Sequence, residues 1–231
     1  MNHVFRRPRC IYFDLDGTLI DSKDGITKSI RFALDELGVP IPPARDLAWC
    51  IGYSLQDIFR MLINNPSENA LQAALNSYRE RYQGIGIYEA ELYAGIESML
   101  SSLHQAGHRL FVATSKPEVF ASRVLSHLGI GQYFERIYGP HLDDVQSDKG
   151  LLLHRALAHE LKDDALMVGD RKFDVMAAAQ NGILSLGVTY GYGTREELEE
   201  AGATALCHSP AGIIEYVISR EAADGHLSFV Q

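Results

Sequence analysis

Cysteine is scarce: Cys10, Cys50 and Cys207 are odd in number and match no metal-ligand spacing, which argues against a disulfide scaffold and a zinc site. They read instead as reduced, mostly buried thiols of a cytoplasmic protein. Long apolar runs are missing too, since no stretch approaches the ~20 residues needed to cross a bilayer. The arginines within Met1 to Arg9 precede a strand and then charged residues, not a signal peptide's apolar region and small-residue cleavage site. Neither export nor a membrane partner is expected. Positive charge is in deficit, with 21 Lys and Arg against 30 Asp and Glu and a formal net charge of −9. A nucleic-acid polymer is bound mainly through a basic face that neutralises its phosphates, so such a partner is disfavoured, although a single nucleotide as substrate is not. There is no internal repeat and no low-complexity segment. What is present is ordinary globular composition, 46% hydrophobic and 22% charged, sufficient for one sizeable core and a small accessory unit.

Cys10 to Phe13 is a short apolar run ending in acidic and glycine residues, the pattern of a buried parallel strand that delivers a loop to a site. The pattern recurs at Arg109 to Ala113 before Thr114, at Ala165 to Val168 before Gly169 and Asp170, and at Ile183 to Val188 before the glycine-rich Tyr190 to Gly193. Helical periodicity fills the intervals at Ile96 to Gln105, Glu118 to Leu128, Gly150 to Glu160 and Phe173 to Gln180. Alternating strands and helices predict a doubly wound α/β domain with a Rossmann-like parallel sheet, whose ligands sit beyond the carboxyl ends of the strands. From about Ser22 to Tyr88 the alternation stops. That region predicts helices over Gly25 to Leu37, around Leu55 to Ile63 and over Asn69 to Tyr82, with Gly38, Pro40 and Pro66 as stops. The expected division is a core of residues 1–21 and 89–231 with a helical cap of residues 22–88, joined near Asp21 to Lys23 and Tyr88 to Tyr93, that works as a mobile lid.

Phe13-Asp14-Leu15-Asp16-Gly17-Thr18 sets two carboxylates two residues apart just after a strand, followed by a glycine that permits a sharp turn. In extended chain, residues two apart face the same way. Adjacent carboxylates repel unless a cation or a shared proton intervenes, so the pair suits Mg²⁺ binding or divided acid and base roles. A surface turn is the plain alternative, since Asp-Gly is a common turn dipeptide. Thr114 and Ser115 could cap a helix beginning near Pro117, Lys149 could be a solvated lysine, and Asp170 and Asp174 could charge the first turn of the following helix. His154 and His159, five apart, share no helical face as a metal pair would.

Asp14-Leu15-Asp16-Gly17-Thr18-Leu19 resembles the first motif of the haloacid dehalogenase superfamily phosphatases. Three further motifs of that family follow in order: Val112-Ala113-Thr114-Ser115-Lys116-Pro117, then Lys149, then Gly169-Asp170-Arg171-Lys172-Phe173-Asp174. The likeness spans Ile11 to about Ile218, and the helical insertion corresponds to the family's small cap. One departure is Gly150, where many members have proline. The resemblance implies that Asp14 is a covalent nucleophile, Asp16 the general acid and base, Thr114 and Ser115 phosphoryl ligands, and Lys149 a counter-charge. It further implies Mg²⁺ held by the Asp14 carboxylate, the Asp16 backbone carbonyl and Asp170, with Asp174 acting through water.

The chain is thus identified as a phosphatase of a small phosphorylated metabolite or nucleotide, working as a monomer or homodimer. A mutase resembling β-phosphoglucomutase is a rival. Phosphonate cleavage needs a cap lysine, and Lys23 and Lys28 both lie near the start of the insertion; dehalogenation is disfavoured by Asp16 and the metal residues. Within the family the chain resembles the phosphoglycolate phosphatase-like subgroup, supported by Val-Thr-Tyr-Gly-Tyr-Gly-Thr at Val188 to Thr194. Cys50 to Phe59 and Gly86 to Tyr93 resemble members regarded as 5′-nucleotidases. Gly52, Tyr53, Ser54 and Gln56 are expected to face substrate, with Trp49, Ile51 and Ile58 in the core and Tyr53, Tyr88 and Tyr93 offering stacking faces. Phosphoglycolate would require a compact cationic pocket, whereas the cap's basic residues outside its first helix are chiefly Arg45, Arg60, Arg79 and Arg81, at least two of them in an apparently solvated helix. The expectation is therefore a 5′-nucleotidase, with phosphoglycolate phosphatase as the alternative.

Overall fold

The computed structural model describes residues 9–40, 47–142, 144, 148–158 and 164–225. Its centre is a six-stranded parallel sheet. The strands are β1 (Cys10–Phe13), β4 (Arg109–Ala113), β5 (Arg136–Tyr138), β6 (Ala165–Gly169), β7 (Leu184–Val188) and β8 (Ala205–Cys207), in the order β5-β4-β1-β6-β7-β8. Strand β1 lies in the middle, pairing Cys10 with Arg109 on one side and with Ala165 on the other. Its period of two feeds both faces of the sheet. Ile11 and Phe13 pack with helices α4 (Ile96–Gln105), α5 (Glu118–His127) and α9 (Pro210–Gly225). Cys10 and Tyr12 pack on the opposite face with α6 (Lys149–Ala156) and α7 (Lys172–Asn181). Burial on both faces is why these strands read as unbroken apolar runs. The Tyr12 and Phe111 rings stack at 4.9 Å on neighbouring strands, worth about 0.5–1.5 kcal/mol beyond area burial.

The insertion is helical, as its sequence predicts, with α1 (Lys23–Glu36), α2 (Leu55–Leu62) and α3 (Glu68–Gly84). Ser54 and Ser67 cap α2 and α3 by accepting from the backbone N–H three residues on. Gly38, at φ +64, ends α1. Where the chain enters and leaves this segment, β2 (Ile20–Asp21) pairs antiparallel with β3 (Glu91–Leu92). Arg81 reinforces the join, donating to both carboxylate oxygens of Glu89 and to the Ser29 hydroxyl.

Several details differ from expectation. Helix α6 stops at Ala156, with Leu157 and Ala158 in a turn after it, and the rest of its expected span, His159 and Glu160, lies outside the described residues. Trp49 is 40% exposed, while Ile51 and Ile58 are buried. Strands β5 and β8 escape sequence reading because three-residue runs carry too little periodicity. All three cysteines are free and buried, and among the described residues no helix is long and apolar enough to cross a membrane.

Candidate active site

The carboxyl ends of the central strands bring the motif residues together. Asp14 leaves β1 with its N–H bonded to the Val168 carbonyl at 2.9 Å, and Gly17, at φ +91, reverses the chain so that its N–H meets the Ile20 carbonyl. Only glycine fits at position 17, since a Cβ would lie 2.2 Å from Asp170 Oδ2. Gly191 and Gly193 close on Asp170 equally tightly, which explains the glycine spacing after β7.

Asp14, Asp170 and Asp174 are all buried, with one carboxylate oxygen of each lying within 4.8 Å of the others. Lys149, the first residue of α6, extends its ammonium to Asp14 Oδ1 at 2.8 Å and to Asp174 Oδ1 at 2.5 Å. Burial alone would lower the Lys149 pKa, but the two carboxylates outweigh it and hold it raised. Lys149 is therefore no solvated lysine. Asp174 serves twice: Oδ2 accepts the Arg171 N–H at 3.0 Å and caps α7, while Oδ1 makes no hydrogen bond beyond its ion pair. Asp170 takes the Tyr192 N–H at 2.8 Å and the Thr18 hydroxyl at 3.2 Å. Burial, then the charges of Asp14 and Asp174, push its carboxyl up to about 8. Three carboxylates facing one ammonium leave an excess of buried negative charge. A divalent cation with oxygen ligands fits that excess.

Asp16 faces the same cavity as Asp14 but has a different partner, the Lys116 ammonium. Its side chain is not part of the three-carboxylate cluster. Thr114 accepts the Lys116 N–H at 3.2 Å, which leaves its hydroxyl proton to donate into the cavity. It does not cap α5, whose cap residue is Pro117. Ser115 lines the same wall. At Gly150 a Cβ would meet the Gln180 amide, so this side chain occupies the space a proline ring would need.

Opposite the carboxylates, the helical segment closes the cavity with Gly52, Tyr53, Ser54, Gln56, Tyr78 and Tyr82, among others. Tyr88 and Tyr93 are not there. Tyr88 is exposed beside Arg123 and His127, and Tyr93 packs on Tyr190. The stacking faces are instead Tyr78 and Tyr82, 5.3 Å apart and nearly parallel on α3. Their four-residue spacing on one helix face was the available signal. Arg79 is not solvated as expected but lines the cavity and donates to the Leu142 carbonyl at 2.7 Å. Arg60 stays exposed and Arg45 lies outside the described residues. Cys50 also reaches the cavity, yet burial pushes its thiol up to about 12, which removes it as a nucleophile. Lys116 and Arg171 were missed because they sit inside motifs whose flanking residues carry the recognisable chemistry.

Residues 11–188 match the model of the haloacid dehalogenase-like hydrolase family. A Pseudomonas aeruginosa protein named 5′-nucleotidase is 39% identical over 205 residues, covering 88% of this chain and 92% of that one. The tyrosine-protein kinase PtkA of Mycobacterium tuberculosis is 38% identical over 205 residues, covering 87% of this chain and 69% of its own. A crystal structure of a predicted phosphatase from Clostridium acetobutylicum superposes with a TM-score of 0.86 at 38% identity, over 91% of this chain and 98% of that one. The chain belongs to the haloacid dehalogenase-like hydrolases. Within them it is a phosphatase, a phosphoric monoester hydrolase.

Proposed function

We propose that this phosphatase is a Mg²⁺-dependent 5′-nucleotidase that works through an aspartyl-phosphate on Asp14. The observation that carries the reading is that Asp14, which lines an aromatic-walled cavity, is paired with the buried Lys149 ammonium. An Asp14 oxygen attacks phosphorus as the ester P–O bond breaks, and Asp16, protonated in the substrate complex once it is parted from Lys116, gives that proton to the departing 5′-oxygen. Lys116 holds Asp16 over the cavity until the leaving group separates the pair. Water then attacks the phosphorus, Asp16 takes the water's proton, and the Asp14 carboxylate is regenerated with release of phosphate. Thr114 and Ser115 hold the phosphoryl oxygens, and Lys149 balances their charge. Mg²⁺, bound by the Asp14 carboxylate, the Asp16 carbonyl and Asp170 with Asp174 behind it, would supply the remaining positive charge. Residues 22–88 serve as the cap and residues 1–21 with 89–231 as the catalytic core.

The cavity wall favours a nucleoside over glycolate as the leaving group. Tyr53, Tyr78 and Tyr82 offer apolar ring surface, whereas the lining cations are Arg79, already bonded to a carbonyl, and Lys116, already paired. A second anion on the substrate would also meet Asp144, a further lining residue. Release of inorganic phosphate, compared as kcat/KM for nucleoside 5′-monophosphates and phosphoglycolate, is expected to favour the nucleotides. A preference of ~100-fold or more for phosphoglycolate, about 2.7 kcal/mol, overturns the assignment.

A further inference from the structure

Arg171 stands between two acidic residues of the metal cluster, yet its side chain turns away from them. It is almost fully buried, and its Nη1 donates to the backbone carbonyls of Trp49, at 3.3 Å, and of Ile51. Its Nε donates to Glu197 at 2.9 Å, on α8 (Arg195–Glu200). The guanidinium lies 5.3 Å from the centre of the Tyr53 ring and 5.8 Å from that of Phe173. Tyr53 stands edge-on to Phe173 at 4.8 Å and to Trp49 at 5.9 Å. Gly52 completes the fit: its φ is +97, and a Cβ there would come within 2.9 Å of Arg171 Cγ. One core side chain thus grips the backbone of residues 49–51 and the ring of Tyr53, on the loop that forms the cavity wall opposite Asp14.

We propose that Arg171 is a positioning residue that latches this loop over the leaving group and so sets which esters bind productively. Its backbone N–H serves Asp174 while its guanidinium serves the loop, so one residue links the acid cluster to the wall that meets substrate. Charge alone does not suffice for the role. A planar fork reaches Glu197 and two carbonyls at once, which a lysine ammonium cannot do from the same place. The inference rests on the phosphatase reading but not on nucleotides being the natural substrate.

The test exploits the single tryptophan, Trp49, which sits on the latched loop. Arg171→Ala and Arg171→Lys are compared with wild type using p-nitrophenyl phosphate, whose leaving group is a large ring, and acetyl phosphate, whose leaving group is small. The ratio of the two kcat/KM values is expected to fall about tenfold in both variants. Acrylamide quenching of Trp49 should rise about 1.5-fold or more, with an unchanged far-ultraviolet dichroism spectrum. Quenching that stays at the wild-type value in the folded variants overturns the latch, whatever the kinetics. Should Arg171→Ala not fold, Gly52→Ala pushes on the same side chain from the loop and is judged by the same two readings. If wild type hydrolyses neither compound, the phosphatase chemistry has failed, and the Trp49 reading alone decides the latch.

Discussion

Replacing Asp170 by asparagine should abolish activity and yet raise the melting temperature of the metal-free protein. Asp170 is completely buried, and burial together with Asp14 and Asp174 moves its carboxyl from 3.8 to about 8. At pH 7 the unfolded chain is ionised there while the folded, metal-free chain must hold a proton. Three units at about 1.4 kcal/mol each put that cost near 4 kcal/mol, and local relaxation cuts it to about 2 kcal/mol. Asparagine preserves the shape. Its oxygen can still accept the Tyr192 N–H, and its amide can donate to the Thr18 hydroxyl oxygen. For a chain of this size about 2 kcal/mol corresponds to roughly 4–8 °C in Tm. The sign follows from the raised folded-state pKa: the penalty is absent below about pH 4 and grows until about pH 8, so the variant's advantage should vanish in acid. Thermal melts of both proteins in chelator at pH 5 and pH 7 measure it. An Asp170→Asn protein that melts below wild type in chelator at pH 7 refutes the idea that uncompensated negative charge strains this site.

Asp14→Asn should leave the fold intact and remove turnover, because an amide of nearly the same volume cannot attack phosphorus; phosphate release above about 1% of wild type from a folded variant rejects the covalent route. Magnesium should bind more weakly as pH falls below about 8, because it must displace the Asp170 proton, with up to about tenfold lost per unit. Titrating the Mg²⁺-induced rise in Tm from pH 8 to pH 6 reads this, and an apparent dissociation constant that does not change over the range counts against Asp170 as a ligand.

The parallel-sheet half of the molecule was legible in the sequence because several of its motif residues are tied to strand ends. Asp14, Thr114 and Asp170 follow β1, β4 and β6 directly, and a buried strand is legible as an apolar run. Lys149 and Asp174 were legible through motif order, although the ion pair that joins them across α6 and α7 was not. The cavity wall was read less accurately, because facing it depends on how α3 is rolled against its neighbours. Tyr78, Arg79 and Tyr82 turn inward, which no local propensity specifies, while Tyr88 and Tyr93 fall beyond the helix on other surfaces. Trp49 is partly exposed where its carbonyl is tied to the Arg171 guanidinium and its ring stands edge-on to Tyr53, long-range contacts with no local signature.

The central place of β1 has a consequence for biosynthesis. Cys10-Ile11-Tyr12-Phe13 emerges before both of its partners, Arg109–Val112 and Ala165–Val168. At about 5–20 residues per second a ribosome needs roughly 8–30 s between β1 and β6. Until Arg109–Val112 is made both edges of the apolar run are unpaired, and until Ala165–Val168 is made one still is, which is the state in which nascent chains associate with one another or recruit chaperones. Asp14 and the charged Arg9 flank it directly and place charge at both ends of the run while it waits.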